Sequence, residues 1–312
     1  MNTTQTKNSD FERSLKSRET EEPIDMWFYR PLGFQMARMF NWAGFTPNAV
    51  TWIGIVLGVM AGICFYFQNL YINLLGMFLL VWANLHDSAD GQLARMTGIK
   101  TVLGRLLDGL CGDIWFIVIY TAIAIRLTPE WGIYIYLLGA AAGYCHTKQA
   151  AMGDHYRNLH LYFLKGEEGS EFETSAQVKE TYNSYSFFNR TFIYKAFFFF
   201  YYNYTKGQER WTPCLEKMLQ TIKTHYPSRQ LPAALRDEFL SQSRPLVKYT
   251  NILSFNTRVI VLFITLLFGE PWIYFVFELT VMNLILIYML YQYRLICNRL
   301  TPRIEKNENA EI

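Results

Sequence analysis

The run Asp87-Ser88-Ala89-Asp90-Gly91-Gln92-Leu93-Ala94-Arg95, followed by Gly104 and Asp108, sets three carboxylates and three small residues at helical spacing where an apolar stretch ends. Ionisable groups beside apolar segments are costly and call for a partner or a task. On a helix, Asp87, Asp90, Gly91 and Ala94 share one face. Gly104 and Asp108 lie one turn apart on the next segment. If the two segments pack end to end, the carboxylates of Asp87, Asp90 and Asp108 converge. Several oxygen ligands beside small residues suit a divalent cation that holds a phosphate-bearing substrate. Gly91, Ala94 and Gly104 leave room for that substrate or for close helix packing.

The elements that position these residues belong to a membrane protein. The 312 residues are 51% hydrophobic and 17% aromatic, with 24 Phe, 21 Tyr and 8 Trp. That composition departs from ordinary soluble chains and suits aromatic belts at a bilayer. A net charge of +3 is too small to argue for nucleic acid. Cys64, Cys111, Cys145, Cys214 and Cys297 show no C-x-x-C spacing and read as small buried hydrophobes.

The fold class expected is all-α: a polytopic membrane protein with about six transmembrane helices, an N-terminal interfacial helix and a helical cytoplasmic insertion. Residues 1–23 are polar, carry no signal-peptide pattern and read as a flexible tail. Residues 24–147 hold the interfacial helix, which Pro31 begins, and four spans, at 49–67, 71–86, 103–125 and 131–147. Residues 148–250 form the cytoplasmic or interfacial insertion, and 251–312 carry spans at 252–269 and 272–292 with a basic tail. Several of these apolar runs fall short of the roughly 20 residues of a full span, so their polar ends must complete them. Lys and Arg are concentrated on alternate links, which places both termini and the signature on the cytoplasmic side.

Within the insertion, Phe187 to Tyr204 is aromatic but interrupted by Arg190, Lys195 and Asn203, and reads as an interfacial helix. Leu215, Met218, Leu219 and Ile222 have the spacing of a soluble helix, and Pro227 and Pro232 bound a turn. His155 and His160 read as loop residues without metal-ligand companions. His86 is a weak alternative base. His146, Lys148 and Arg258 read either as phosphate contacts or as anchors at headgroup level.

The pattern D-x2-D-G-x2-A-R-x8-G-x3-D, complete here through Asp108, resembles the signature of the CDP-alcohol phosphatidyltransferases. The resemblance implies transfer of a phosphate-linked group from a CDP-activated donor to an alcohol, with release of CMP. It implies Mg²⁺ or Mn²⁺ held by Asp87, Asp90 and Asp108, with the cytidine end of the donor beside Gly91 and Ala94 and Arg95 at the rim. Thr46-Pro47-Asn48-Ala49-Val50-Thr51 also resembles a P-N-x2-T element of that family. A helix cap explains this element on its own, and the resemblance adds a nucleotide-binding role for Asn48 and Thr51, with Gly104 also counted among the donor-binding residues. Many members are homodimers, which carries over as an expectation.

The match departs at one point. The signature ends in a further aspartate four residues beyond Asp108, where this chain has Gly112, followed by Asp113. That last aspartate is the family's general base. A residue four along a helix returns to within about 40° of the same face, and one five along is about 140° away. A π-bulge between Asp108 and Asp113 would restore the alignment, and that is the expectation here, with Asp113 as the base. The donor is expected to be CDP-diacylglycerol and the acceptor a small alcohol or polyol phosphate, with membrane lipid as a further partner. Two other readings stay open: a relative that binds CDP-lipid without turnover, and a cation-coupled transporter.

Overall fold

The computed structural model describes residues 11, 12, 14, 15, 17–99, 101–166, 170, 172–186, 192–226 and 232–306. Those residues are helical and contain no strand. The chain divides into two compact units, Met1–His146 with Phe255–Thr280, and Thr147–Ser254 with Val281–Ile312.

In the first unit, a π-helical turn Asp25–Tyr29 leads into α1 (Arg30–Trp42), with Pro31 in its first turn. Helix α2 (Pro47–Cys64) starts at Thr46, whose side chain caps the Ala49 amide. Helix α3 (Leu70–Thr97) is capped by the Asn69 side chain and ends at Gly98, whose φ of +71° is a left-handed conformation that glycine adopts freely. Helix α4 (Val102–Trp131) begins at Thr101, whose hydroxyl accepts the Gly104 amide at 2.8 Å. The unit is completed by the first turns of α5 (Tyr134–Lys165), by α10 (Phe255–Leu267) and by α11 (Trp272–Leu279).

The helices outrun the apolar segments predicted for them. Helix α3 carries the first half of the signature, Asp87 to Arg95, and runs to Thr97, and α4 continues through 126–130, expected as a link, to Trp131. Hydropathy marks where a segment leaves lipid, and backbone hydrogen bonding carries the helix on. Arg126, assigned to that link, is buried, and its guanidinium donates to the Phe65 carbonyl at 3.2 Å. Among the described residues, five helical stretches are long and apolar enough to cross a membrane: Pro47–Cys64, Leu70–Thr97, Leu103–Trp131, Ala233–Leu267 and Trp272–Glu305. The span expected at 131–147 falls in α5, where the apolar run gives way to His146, Lys148 and Gln149.

Close packing in this unit rests on Gly54, Gly58 and Gly62, one turn apart on α2. A Cβ on Gly54 would lie 3.2 Å from the His86 Cβ of α3, and one on Gly58 would overlap the buried Trp115 indole of α4. Trp115 in turn sits in a core with Phe65, Leu80, Ile119, Ile123 and Phe275.

Polar groups in the same unit pair with one another. Arg258 and Glu278 form a fully buried ion pair, and the Tyr120 hydroxyl lies 3.2 Å from His146 Nδ1 and donates to the Tyr274 hydroxyl at 3.5 Å. Arg258 and His146 therefore tie α10, α11, α4 and α5 together instead of anchoring at headgroup level.

The second unit holds the remainder of α5 with α6 (Ser175–Ser184), α7 (Phe192–Trp211), α8 (Pro213–His225), α9 (Ala233–Ile252) and α12 (Val281–Glu305). Leu215, Met218, Leu219 and Ile222 are buried along α8, as their spacing predicts. Tyr156 stacks on Tyr293, and Phe163 on Phe239, each at 3.8 Å between centroids. His155 and His160, predicted in a loop, lie on α5 and are buried against Thr212 and Ser243. The reason is that α5 continues past its apolar segment. The interfacial run at 187–204 is described from Phe192 onward as α7, and the turn expected from Pro227 lies outside the described residues.

Three stability predictions follow from these units. Gly58→Ala overpacks Trp115, and its melting temperature in detergent should fall by the equivalent of about 1–3 kcal/mol. Gly112→Ala, where a Cβ meets nothing within 4 Å, should match or slightly exceed wild type. Burial and the neighbouring Glu209 push the Glu216 carboxyl up to about 7. The folded state then binds the proton more tightly than the unfolded chain, so stability falls as pH rises from the ordinary carboxyl range through about 7. Thermal scans of Glu216→Gln should show an advantage over wild type near about pH 8 that vanishes near about pH 5.

Candidate active site

Asp87 and Asp90 lie three residues apart on α3, and the capped N-terminal turns of α4 bring Asp108 to them. One oxygen from each of Asp87, Asp90 and Asp108 lies within 4.8 Å of the other two. Asp90 is buried, Asp87 half-buried and Asp108 exposed, so the group opens on the Asp108 side. Like charges this close repel strongly at low dielectric, and a divalent cation among them cancels the repulsion. The buried Asp90 Oδ2 has no hydrogen-bond partner among the described residues. A carboxylate oxygen left so, inside a hard-oxygen donor set, fits Mg²⁺ or Mn²⁺.

The neighbouring residues fall around this centre. Thr51 is buried on α2, donates to the Pro47 carbonyl at 3.1 Å and bonds to Asp90 through its side chain. Asn48 Oδ1 accepts from the Thr101 hydroxyl at 3.2 Å, and a Cβ on Gly104 would come within 2.8 Å of that same oxygen. The absence of a side chain at Gly104 thus lets α4 approach the start of α2. Ala94 is half-buried on α3. The Arg95 guanidinium lies across Gly91, 3.5 Å from where its Cβ would be, and Arg95 Nε donates to the Ser14 carbonyl.

Ser14 and Thr20 are buried, so part of the segment expected as a flexible tail is seated on this unit. Glu22 and Asp25 both accept from Asn256, each at 2.9 Å.

The expected π-bulge is not formed. Helix α4 is a regular α-helix through Asp108, Gly112 and Asp113. Asp113 is exposed and leaves the helix about 140° from the direction of Asp108. It does not join the three gathered carboxylates. Gly112 occupies the face that a base would use, and the space a Cβ would enter there is open, as it is at Gly109. His86 takes no part either: it is buried, with Nδ1 2.8 Å from the Trp82 carbonyl and its ring against Phe40.

Two residues beside the centre escaped the sequence reading. Cys111 bonds to Asp87 through its thiol; its place three residues after Asp108 was the available signal. Arg30, on α1, pairs with Glu21 at 3.0 Å and donates to the Ser88 hydroxyl at 3.4 Å, beside Asp87. Nothing in the spacing of Arg30 pointed to α3.

Residues 45–150 match the sequence model of the CDP-alcohol phosphatidyltransferases. The archaetidylinositol phosphate synthase of Pyrococcus horikoshii is 36% identical over 98 residues, 31% of this chain and 50% of that protein. An uncharacterised protein of Aquifex aeolicus is 27% identical over 144 residues, 45% of this chain and 69% of its own length. The bifunctional IPC transferase and DIPP synthase of Aquifex aeolicus is 29% identical over 99 residues, 32% of this chain and 22% of that protein. The chain thus spans half the length of the archaeal synthase.

The carboxylate group makes a prediction that needs no substrate. Purified protein in detergent should bind Mn²⁺, read as loss of the free-ion electron paramagnetic resonance signal. Removing the buried ligand in Asp90→Asn should weaken that binding by roughly tenfold or more.

Proposed function

We propose that this chain, whose residues 45–150 form a CDP-alcohol phosphatidyltransferase domain, transfers a phosphatidyl group from CDP-diacylglycerol to the hydroxyl of a polyol phosphate of the inositol phosphate type, releasing CMP. The observation that carries the reading is the gathering of Asp87, Asp90 and Asp108 beside Gly91, Gly104 and Gly112. The acceptor class is supported by the archaetidylinositol phosphate synthase among the relatives. Arg258 offers less support than its charge promised, because it is paired with Glu278.

In this reading Asp87, Asp90 and Asp108 hold one or two Mg²⁺ or Mn²⁺ ions. Bound there, the cation would polarise the bridging phosphates and neutralise charge on departing CMP. Thr51 orients the Asp90 carboxylate from α2. Asn48 and the small surfaces of Gly91 and Ala94 receive the cytidine end of the donor, and Arg95 closes the rim over Gly91. The acceptor hydroxyl occupies the open space at Gly109 and Gly112. Its proton passes to Asp113 through one intervening water, since Asp113 does not share the Asp108 face. Both termini and the site lie on the cytoplasmic side, in keeping with the Lys and Arg bias, and the protein works as a homodimer.

The test is acceptor-dependent CMP release by detergent-purified protein given Mg²⁺, CDP-diacylglycerol and inositol phosphate. Wild type should turn over, and Asp90→Asn and Asp108→Asn should not. Asp113→Asn should lose about 10²–10⁴-fold in kcat, the usual worth of a positioned base. Adding Gly112→Asp to Asp113→Asn should recover activity, because a carboxylate there lies on the Asp108 face in open space. Full activity in Asp113→Asn would reject that residue as the base. No CMP from wild type with any alcohol acceptor would reject the transferase.

A further inference from the structure

Helix α7 presents two unlike faces. Phe198, Thr205 and Gln208 point inward and are buried. Gln208 donates to the Ala151 carbonyl at 2.7 Å, and Glu209 at the same end accepts the Ser175 amide at 2.6 Å, so this face is fixed by α5 and α6. Phe192, Ile193, Phe199, Phe200, Tyr204 and Trp211 recur at helical spacing on the other side and are exposed, Phe200 at 68%. Lys206 and Arg210 lie along the Phe192–Phe199 margin of this face and are exposed, as is Asn203 within it. A bare aromatic face of this length, edged by cations, has the composition of a helix lying in the headgroup region of a bilayer.

The same unit supplies a depth gauge. Helix α12 belongs to a membrane-crossing stretch and exposes Leu284, Ile287, Tyr291 and Leu295 as lipid-type surface. Its charges begin at Arg294 and continue at Arg299 and Arg303. Cys214, three residues beyond Trp211, donates its thiol to Asn298 Oδ1 at 2.9 Å. The Trp211 end of α7 therefore stands within about one helical turn of the point where α12 passes from apolar to charged. That is the level at which a bilayer surface meets the protein.

We infer that α7 docks on the membrane surface through Phe192, Phe199, Phe200, Tyr204 and Trp211, so that the insertion is a second, laterally placed membrane attachment in addition to the crossing helices. Its partner is the headgroup–acyl boundary of the bilayer, with Lys206 and Arg210 toward anionic headgroups. The buried face is already committed to α5 and α6, and the outer face mixes large aromatics with Asn203, Lys206 and Arg210, the composition of an interfacial helix. This inference does not depend on the transferase reading.

The test uses the full chain in nanodiscs of phosphatidylethanolamine and phosphatidylglycerol. A nitroxide is placed through Phe200→Cys, Phe199→Cys or, as the water-exposed control on α6, Lys179→Cys, with the five native cysteines replaced by serine. Oxygen should collide with the label several-fold more effectively than a nickel chelate at positions 199 and 200, and the order should reverse at 179. Nickel-dominated collisions at 200, equal to those at 179, overturn the inference. A second probe keeps the native cysteines: p-benzoylphenylalanine at position 200 should crosslink to lipid on irradiation. A chain-to-chain adduct in place of the lipid adduct would assign the face to a second copy and overturn the inference too.

Discussion

Three carboxylates held within 4.8 Å of one another beside a membrane-crossing stretch are the constraint on which the first unit is organised. Such a group repels itself, and it persists only if the backbones carrying it are held by other forces. Those forces are apolar packing of α2 against α3 and α4, made close by Gly54, Gly58 and Gly62. In lipid there is no hydrophobic drive to bring helices together, so van der Waals contact at small residues does much of that work. The Trp115 indole in the space above Gly58 sets the spacing of α2 and α4, and with it the place of Asp108 relative to Asp90.

Basic side chains in this unit are taken up by particular partners, which explains why so few of them are available near the centre. Arg126 serves a helix end, Arg258 neutralises Glu278, and Arg95 holds the Ser14 carbonyl. Each would be expensive to bury alone, and each acts as a fastener between elements. Arg30 differs in lying beside Asp87, where its pairing with Glu21 is half-buried. The segment before α1 is thereby tied to the arginine beside Asp87.

The insertion follows ordinary soluble packing on its inner side. Leu215, Met218, Leu219 and Ile222 fill the space under α8, and stacked rings at Tyr156–Tyr293 and Phe163–Phe239 join α5 to its neighbours. Its outer aromatic face is the exception, and it lies in a unit that itself contains part of a membrane-crossing stretch.

The spacing of Asp87, Asp90, Gly91, Ala94, Gly104 and Asp108 was enough to identify a convergent carboxylate centre, because helical periodicity fixes which side chains share a face. Composition was enough to identify an all-helical membrane protein, because a bilayer admits few other ways to satisfy the backbone. Tertiary structure decided what depends on distant partners. Gly112 and Asp113 could be arranged two ways by local sequence alone, and in the folded chain α4 is regular there, leaving Asp113 off the face. The same holds for His155 and His160, drawn into the core when α5 ran past its apolar segment, and for Arg258, whose partner Glu278 lies on another helix. Local propensity and period are written along the chain, whereas the identity of a buried cation's counter-charge exists only after the helices have packed.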